Sequence, residues 1–172
     1  APASWGSVSV KQFSIDSRED QSASLFAALP GENTDGHQYV AAAFAKGAAA
    51  ALVAREVPGA PGPQLVVPDV LAALQSLARQ ARAAWGHLVL ALTGSAGKTS
   101  TKDAVATFLS AAFPLSKTTG NFNNHIGVPL SILRIDDASQ AAVLEMGMNH
   151  AGEIRDLCGI ARPDIGLVTN VG

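Results

Sequence analysis

The segment Thr93-Gly94-Ser95-Ala96-Gly97-Lys98-Thr99-Ser100 restricts what this chain can fold into more than any other. It follows Leu88–Leu92, a run without a polar residue, and leads into Ser100–Ala112, which has helical spacing and stops before Pro114. A short wholly apolar run suits a central parallel strand covered on both faces. A glycine-rich turn from such a strand into a helix aims backbone N–H groups and the positive end of the helix dipole at one point, which makes a cradle for phosphate. Lys98 can reach the outer phosphates, and the Thr99 hydroxyl can ligate Mg²⁺. The longer phosphate-loop pattern has a glycine five positions before Gly97, where this chain has Leu92, so the match is to the shorter G-x-x-G-K-T form. The strand–loop–helix setting carries the reading against that of an ordinary glycine turn with a solvated lysine.

The rest of the second half repeats the strand and helix rhythm. Ala141–Glu145 and Ile165–Thr169 read as two more buried strands. Glu145 therefore stands at the carboxyl edge of a parallel sheet, where open α/β sheets bind ligands, and a strand-end acid there can be the second support for Mg²⁺. A helix cap or an ion pair is its other reading. Thr118–Pro129, after a short strand near Leu115, is a run of small and amide side chains. Amides donate and accept, which suits a polar or phosphate-bearing ligand, yet asparagine also serves a tight loop's own backbone. Lys102 supports a phosphate or is simply a solvated first-turn residue.

The first half alternates shorter elements. Val8–Ile15 has strand alternation, and Leu25–Leu29 is an apolar run ending at Pro30-Gly31. Tyr39–Lys46 has helical spacing and stops at Gly47, and Ala48–Ala54 re-enters a sheet. After the loop Pro58–Pro63 comes a short strand, Gln64–Val67. Asp69 can cap the next helix, Val70–Trp85, whose apolar face holds Leu71, Leu74, Leu77, Ala78 and Ala81, with Arg82 mostly elsewhere; the helix ends at Gly86. The pattern predicts an α/β chain with a small domain over residues 1–84 and an incomplete phosphate-loop domain with a mostly parallel sheet over 85–172. In the first domain, Arg18 of Asp16-Ser17-Arg18 can pair with a diphosphate or with Asp16, and Asp35-Gly36-His37 sits in a loop before a helix.

Composition excludes other classes. Of 172 residues 48% are hydrophobic and 15% charged, so the chain folds rather than staying disordered. Its 12 Lys and Arg against 14 Asp and Glu form no basic block, which argues against a nucleic-acid or acidic-membrane surface. The longest apolar stretch, Tyr39–Ala54, is broken by Lys46-Gly47 and is too short to span a bilayer. Ala1-Pro2-Ala3-Ser4-Trp5 lacks the features of a secretory signal, and the lone Cys158 points to a reducing cytosol and to the core. The four histidines, His37, His87, His125 and His150, have no metal-site spacing.

Taken in order, Asp16-Ser17-Arg18, Leu25–Leu29 with Gly31, Asp35-Gly36-His37 and Gly94–Thr99 resemble the Mur ligases, ATP-dependent amide-bond-forming enzymes of peptidoglycan precursor synthesis. Gly120–Pro129 and Glu145–Ile154 are similar to the MurF type, with the MurE type, which adds a single amino acid, as the near alternative. The resemblance implies an acid–amino-acid ligase that joins D-alanyl-D-alanine to UDP-N-acetylmuramoyl-tripeptide through an acyl phosphate, using ATP and Mg²⁺, as a cytoplasmic monomer. It implies that Gly94, Ser95, Ala96, Gly97, Lys98, Thr99 and Ser100 hold the nucleotide and that Thr99 and Glu145 hold the metal. Lys98, Glu145 and His150 would be catalytic. Ser17, Arg18, Asp35, Gly36, His37, Asn121, Asn123, Asn124 and Asn149 would lie on the substrate side. Family members continue with a second-metal histidine, a carbamylated lysine, adenine contacts and a C-terminal domain, so the resemblance implies that this chain is part of a ligase and by itself at most a partial binder.

Overall fold

The computed structural model describes residues 8–31 and 34–172; the opening Ala1–Trp5, read above for a signal, lies outside them. Packing divides the chain into two compact units, one through Leu74 and one from Gln75. The division falls inside a helix, ahead of the boundary between residues 84 and 85 read from the sequence.

The first unit is built on four parallel strands in the order β1-β2-β3-β4: β1 Gln12–Ser14, β2 Ser24–Ala27, β3 Ala50–Val53 and β4 Gln64–Val66. The inner strands β2 and β3 are buried along their whole length, as their apolar sequences require. Helix α1, Val40–Ala45, follows a single 3₁₀ turn, Gly36–Tyr39, and packs Val40 and Ala43 with Phe26, Ala28, Ala51 and Val53. The chain leaves α1 through Gly47 at φ +99, a conformation open to glycine. Strand β1 is shorter than the alternation over Val8–Ile15 predicts. Its partner β2 begins only at Ser24, after Ala23 has turned left-handed at φ +56, so Val8 and Val10 have no ladder to join and stay exposed.

Helix α2, Val70–Trp85, is capped as expected, with the Ala72 N–H donating to Asp69 Oδ1 at 3.0 Å, and it ends at Gly86 with φ +70. Arg82 is a correction: it is buried, not on the solvated face. It donates to the Ala161 and Arg162 carbonyls at 2.9 and 3.1 Å and to Asp164 Oδ2 at 3.0 Å, and that oxygen also accepts from the Val89 N–H at 2.8 Å. A long polar side chain can lie within an apolar stripe when each end finds a partner.

The second unit is a parallel sheet in the order β6-β7-β5-β8: β5 Leu88–Thr93, β6 Leu115–Lys117, β7 Ala141–Glu145 and β8 Ile165–Val168. Alternation along β5 sorts its side chains onto two covered faces. Val89 and Ala91 pack with Leu144, Leu157 and Ile160, whereas Leu90 and Leu92 pack with Val143 and Ala106. Helix α3, Lys98–Leu109, supplies Ala106, helix α4, Gly127–Leu133, supplies Val128 and Ile132 to the first cluster, and α5, Glu153–Ala161, supplies Leu157 and Ile160. Helix α3 starts two residues before the Ser100 expected from spacing, because Gly97 at φ +78 makes the turn in. Helix α4 lies partly in the stretch read as loop through Pro129. Its first turn is capped by Asn124 Oδ1, which accepts from the Ile126 and Gly127 N–H groups at 3.1 and 2.9 Å, and Pro129 is tolerated there because first-turn N–H groups have no intrahelical partner. Among the described residues no helix is long and apolar enough to cross a membrane.

Candidate nucleotide and metal site

The carboxyl edge of the second sheet collects four segments: the glycine-rich turn after β5, the turns after β6 and β7, and the residues that follow β8. The first runs from Thr93 into α3. Gly94 adopts φ +147, and a Cβ there would overlap the Thr169 hydroxyl and come within 3.1 Å of the Asn170 backbone, so only glycine fits. At Gly97 a Cβ would meet nothing within 4 Å, so the mouth of the loop is open. The Ser95 N–H donates to the Asn170 carbonyl at 3.2 Å, the Ala96 N–H to Asn170 Oδ1 at 2.9 Å, and Ser95 Oγ accepts from the Gly172 N–H at 3.0 Å. Lys98 folds its Nζ back onto the Gly94 carbonyl at 2.6 Å, and Ser100 is exposed in the first turn of α3.

Glu145, the last residue of β7, is 3% exposed with both carboxylate oxygens engaged. The Thr99 hydroxyl donates to Oε2 at 2.9 Å, and Asn123 Nδ2 donates to Oε1 at 3.0 Å. The Glu145 N–H donates to Thr118 Oγ1 at 3.1 Å, and the Gly147 N–H to the Asn123 carbonyl at 2.8 Å. A hydroxyl and a carboxylate this close at a helix N-terminus form a hard-oxygen pair, and an ion such as Mg²⁺ that keeps waters and phosphate oxygens asks for no more from the protein. Among the described residues no group of three or more His, Cys, Asp or Glu forms a fuller metal cage.

The other amides of this edge divide. Asn123 reaches the carboxylate, whereas Asn124 spends its side-chain oxygen on the α4 cap, and Asn121 is exposed with its carbonyl accepting from the Asn123 N–H at 2.8 Å. Asn149 and His150 are exposed in the turn after β7, where both N–H groups donate to Glu153 Oε2, at 2.7 and 3.3 Å. Those two donors hold the Glu153 carboxyl below its ordinary range. Lys102 is buried, with Asp103 at 3.6 Å, so a solvated first-turn lysine does not describe it. Cys158 is half-buried against the core, with Met146 Sδ at 3.9 Å, and burial pushes its thiol up. Sequence reasoning took Thr118 only as part of the Thr118–Pro129 run and gave Thr169 and Asn170 no role. The available signal was position: each follows a strand end on the edge that carries the glycine-rich loop.

In the first unit, Arg18 pairs with Asp16 two residues before it. Its guanidinium bonds Asp16 at 2.6, 2.9 and 3.0 Å and holds that carboxyl at about 2, while the arginine side chain stays 88% exposed. Ser17 is half-buried in the same turn. His37 is buried, and its tautomer follows from its partners. Nε2 accepts from the Ala54 N–H at 2.9 Å, so the proton sits on Nδ1 and is donated to Asp35 Oδ1 at 2.6 Å. Asp35 also accepts from the His37 N–H and from Arg55, and these donors hold its carboxyl far below the ordinary range. Gly36 has no room for a side chain, since a Cβ would lie 2.5 Å from the Leu29 carbonyl. Both His37 nitrogens are thus used inside the protein, where they brace the Asp35 loop against the end of β3.

The family model described as Mur ligase family, catalytic domain, matches residues 9–82, and that described as Mur ligase middle domain matches residues 92–172. The UDP-N-acetylmuramoyl-tripeptide–D-alanyl-D-alanine ligase of Bacillus subtilis (strain 168) is 45% identical over 159 residues, 91% of this chain and 35% of the relative. A crystal structure of MurF from Acinetobacter baumannii superposes with a TM-score of 0.87 at 40% identity, over 95% of this chain and 36% of that one. The MurF ligase from Thermotoga maritima, solved in complex with ADP, gives 0.82 at 34% identity, over 95% of this chain and 38% of that one. The chain spans little more than a third of the length of these relatives. With its fold and its two matched segments in agreement, the chain belongs to the Mur ligase family and is of the MurF type.

Proposed function

We propose that this chain carries two working parts of an ATP-dependent ligase that adds D-alanyl-D-alanine to UDP-N-acetylmuramoyl-tripeptide in the cytoplasm. The observation that carries the reading is the Thr99–Glu145 pair at the first turn of α3, beside Lys98 and a glycine-rich loop. In this reading residues 85–172 take ATP. The amides of Gly97 to Ser100 and the Lys98 ammonium face the phosphates once Lys98 leaves the Gly94 carbonyl, and Thr99 and Glu145 hold Mg²⁺ with Asn123 steadying the carboxylate. Mg²⁺ would supply neutralisation of charge on the phosphate oxygens.

The terminal carboxylate of the tripeptide attacks the γ-phosphorus, the bond to the ADP oxygen breaks, and an acyl phosphate forms. The amine of D-alanyl-D-alanine then attacks the acyl carbon, phosphate departs with its oxygen, and the nitrogen loses a proton. Lys98 stands next to the transferring group, where its N–H donors meet the charge that develops there. Residues 1–84 take the UDP portion, with Ser17, Arg18 and the Asp35-Gly36-His37 loop at the carboxyl ends of their strands. Asn121, Asn124, Asn149 and His150, all exposed, are the candidates to meet the peptide end.

The test is phosphate release from ATP by the full-length protein, with each acceptor omitted in turn. Release that requires both UDP-N-acetylmuramoyl-tripeptide and D-alanyl-D-alanine supports the reading. Release with a single amino acid moves the assignment to the MurE type, and ATP turnover indifferent to both overturns it.

A further inference from the structure

The phosphate loop is not held by its own helix alone. The two residues that follow β8, Thr169 and Asn170, bond to it directly. Asn170 accepts the Ser95 N–H at its carbonyl, 3.2 Å, and the Ala96 N–H at Oδ1, 2.9 Å. Thr169 Oγ1 donates to the Ala96 carbonyl at 2.7 Å, and the Thr169 N–H donates to the Thr93 carbonyl at 2.9 Å. Gly94 closes the fit, since the missing Cβ is what lets Thr169 and Asn170 approach.

We propose that Asn170 is a positioning residue of the phosphate loop, which fixes the Ser95 and Ala96 amides so that the amides of Gly97, Lys98, Thr99 and Ser100 converge on the nucleotide before it arrives. The proposal rests on the reading of this loop as an ATP site. Two donors of the loop are already spent on Asn170 and are not available to phosphate. The Gly97 to Ser100 amides lie at the cap and first turn of α3, where no intrahelical acceptor exists. An anion site assembled in advance avoids the cost of ordering a glycine-rich loop during binding. Asn170 makes no hydrogen bond to Lys98 or Glu145; its bonds to the site are those to Ser95 and Ala96.

The experiment uses the full-length protein with Asn170→Ala, Asn170→Asp and Thr169→Val. Asn170→Ala is expected to raise the KM for ATP by about 3- to 10-fold, the effect of one lost loop hydrogen bond, and to leave the KM for the UDP-linked peptide unchanged. Hydrogen exchange of nucleotide-free protein is expected to speed up at Ser95–Ala96 in the Ala variant and to be restored in the Asp variant, which keeps an acceptor oxygen. Thr169→Val, which removes one hydroxyl without changing shape, shifts the KM for ATP in the same direction, so the proposal stays testable if Asn170→Ala does not fold. An unchanged KM for ATP in both Asn170→Ala and Thr169→Val, or an equal rise in the KM of both substrates, overturns the proposal while ATP binding by the unaltered protein keeps the function reading intact. Failure of the unaltered protein to bind ATP overturns both.

Discussion

The Thr99 hydroxyl donates to Glu145 Oε2 at 2.9 Å and so joins the first turn of α3 to the last residue of β7 across 46 positions of sequence. Neither residue holds the other by accident of exposure, since Glu145 is buried and its second oxygen is taken by Asn123. Glu145→Gln preserves the shape of this junction and removes its charge. The expected result is a melting temperature close to that of the unaltered protein and a Mg²⁺ requirement raised by about 10- to 100-fold. A Mg²⁺ titration of phosphate release checks it, and an unchanged half-saturation point contradicts it.

Lys98 rests on the Gly94 carbonyl and makes no ion pair with another side chain among the described residues. Lys98→Ala is therefore expected to fold normally and to lower the rate of phosphate release by about 100- to 1,000-fold, the usual loss when a donor aimed at developing charge is removed. Circular dichroism together with turnover separates this from unfolding. Activity within about threefold of the original, on the same electrostatic scale, removes Lys98 from the mechanism.

His37→Phe keeps a ring of similar size but abandons both partners. The Ala54 N–H loses its acceptor, and Asp35 loses one of its donors. The expected destabilisation is about 2 to 3 kcal/mol, the cost of leaving buried polar groups unmade. Chemical denaturation measures it; a loss below about 0.5 kcal/mol means the imidazole braces nothing.

Acid is expected to weaken the first unit. Asp16 is lowered from 3.8 to about 2 by Arg18, and Asp35 is lowered further by the His37 N–H, Arg55 and the His37 ring. A carboxylate depressed in the fold contributes stability that is fully present above its unfolded value and is lost as pH falls through the folded one. The loss thus begins near pH 3.8 and runs through about 2. Because Arg18 is 88% exposed, salt screens its share, and the slope is shallower in concentrated salt. Melting curves over that range, with Asp35→Asn as the flattened comparison, decide the matter.

How much of this was legible in the sequence depends on how local each signal is. The strand β7, the helix α2 and its Asp69 cap are read directly, because apolar period and capping chemistry lie within a few neighbouring residues. Glu145 was placed at its edge by the same logic. Helix α4 was hidden because its cap, Asn124, stands among other amides that look like a loop, and because Pro129 reads as a breaker until its place in the first turn is known. The inward turn of Arg82 was not legible, since its partners lie 79 or more positions away. The same holds for Asn170, whose reach to Ala96 spans 74 positions.

Arg82 also ties two distant segments together. The carbonyls of Ala161 and Arg162, which α5 leaves free where Arg162 turns to φ +44, are stitched by a guanidinium from α2. The end of α5 cannot fray without first losing its clasp on α2, and β8 begins only three residues beyond Arg162. Opening at the tail of α5 therefore breaks hydrogen bonds made by α2, close to the point where the chain enters β8.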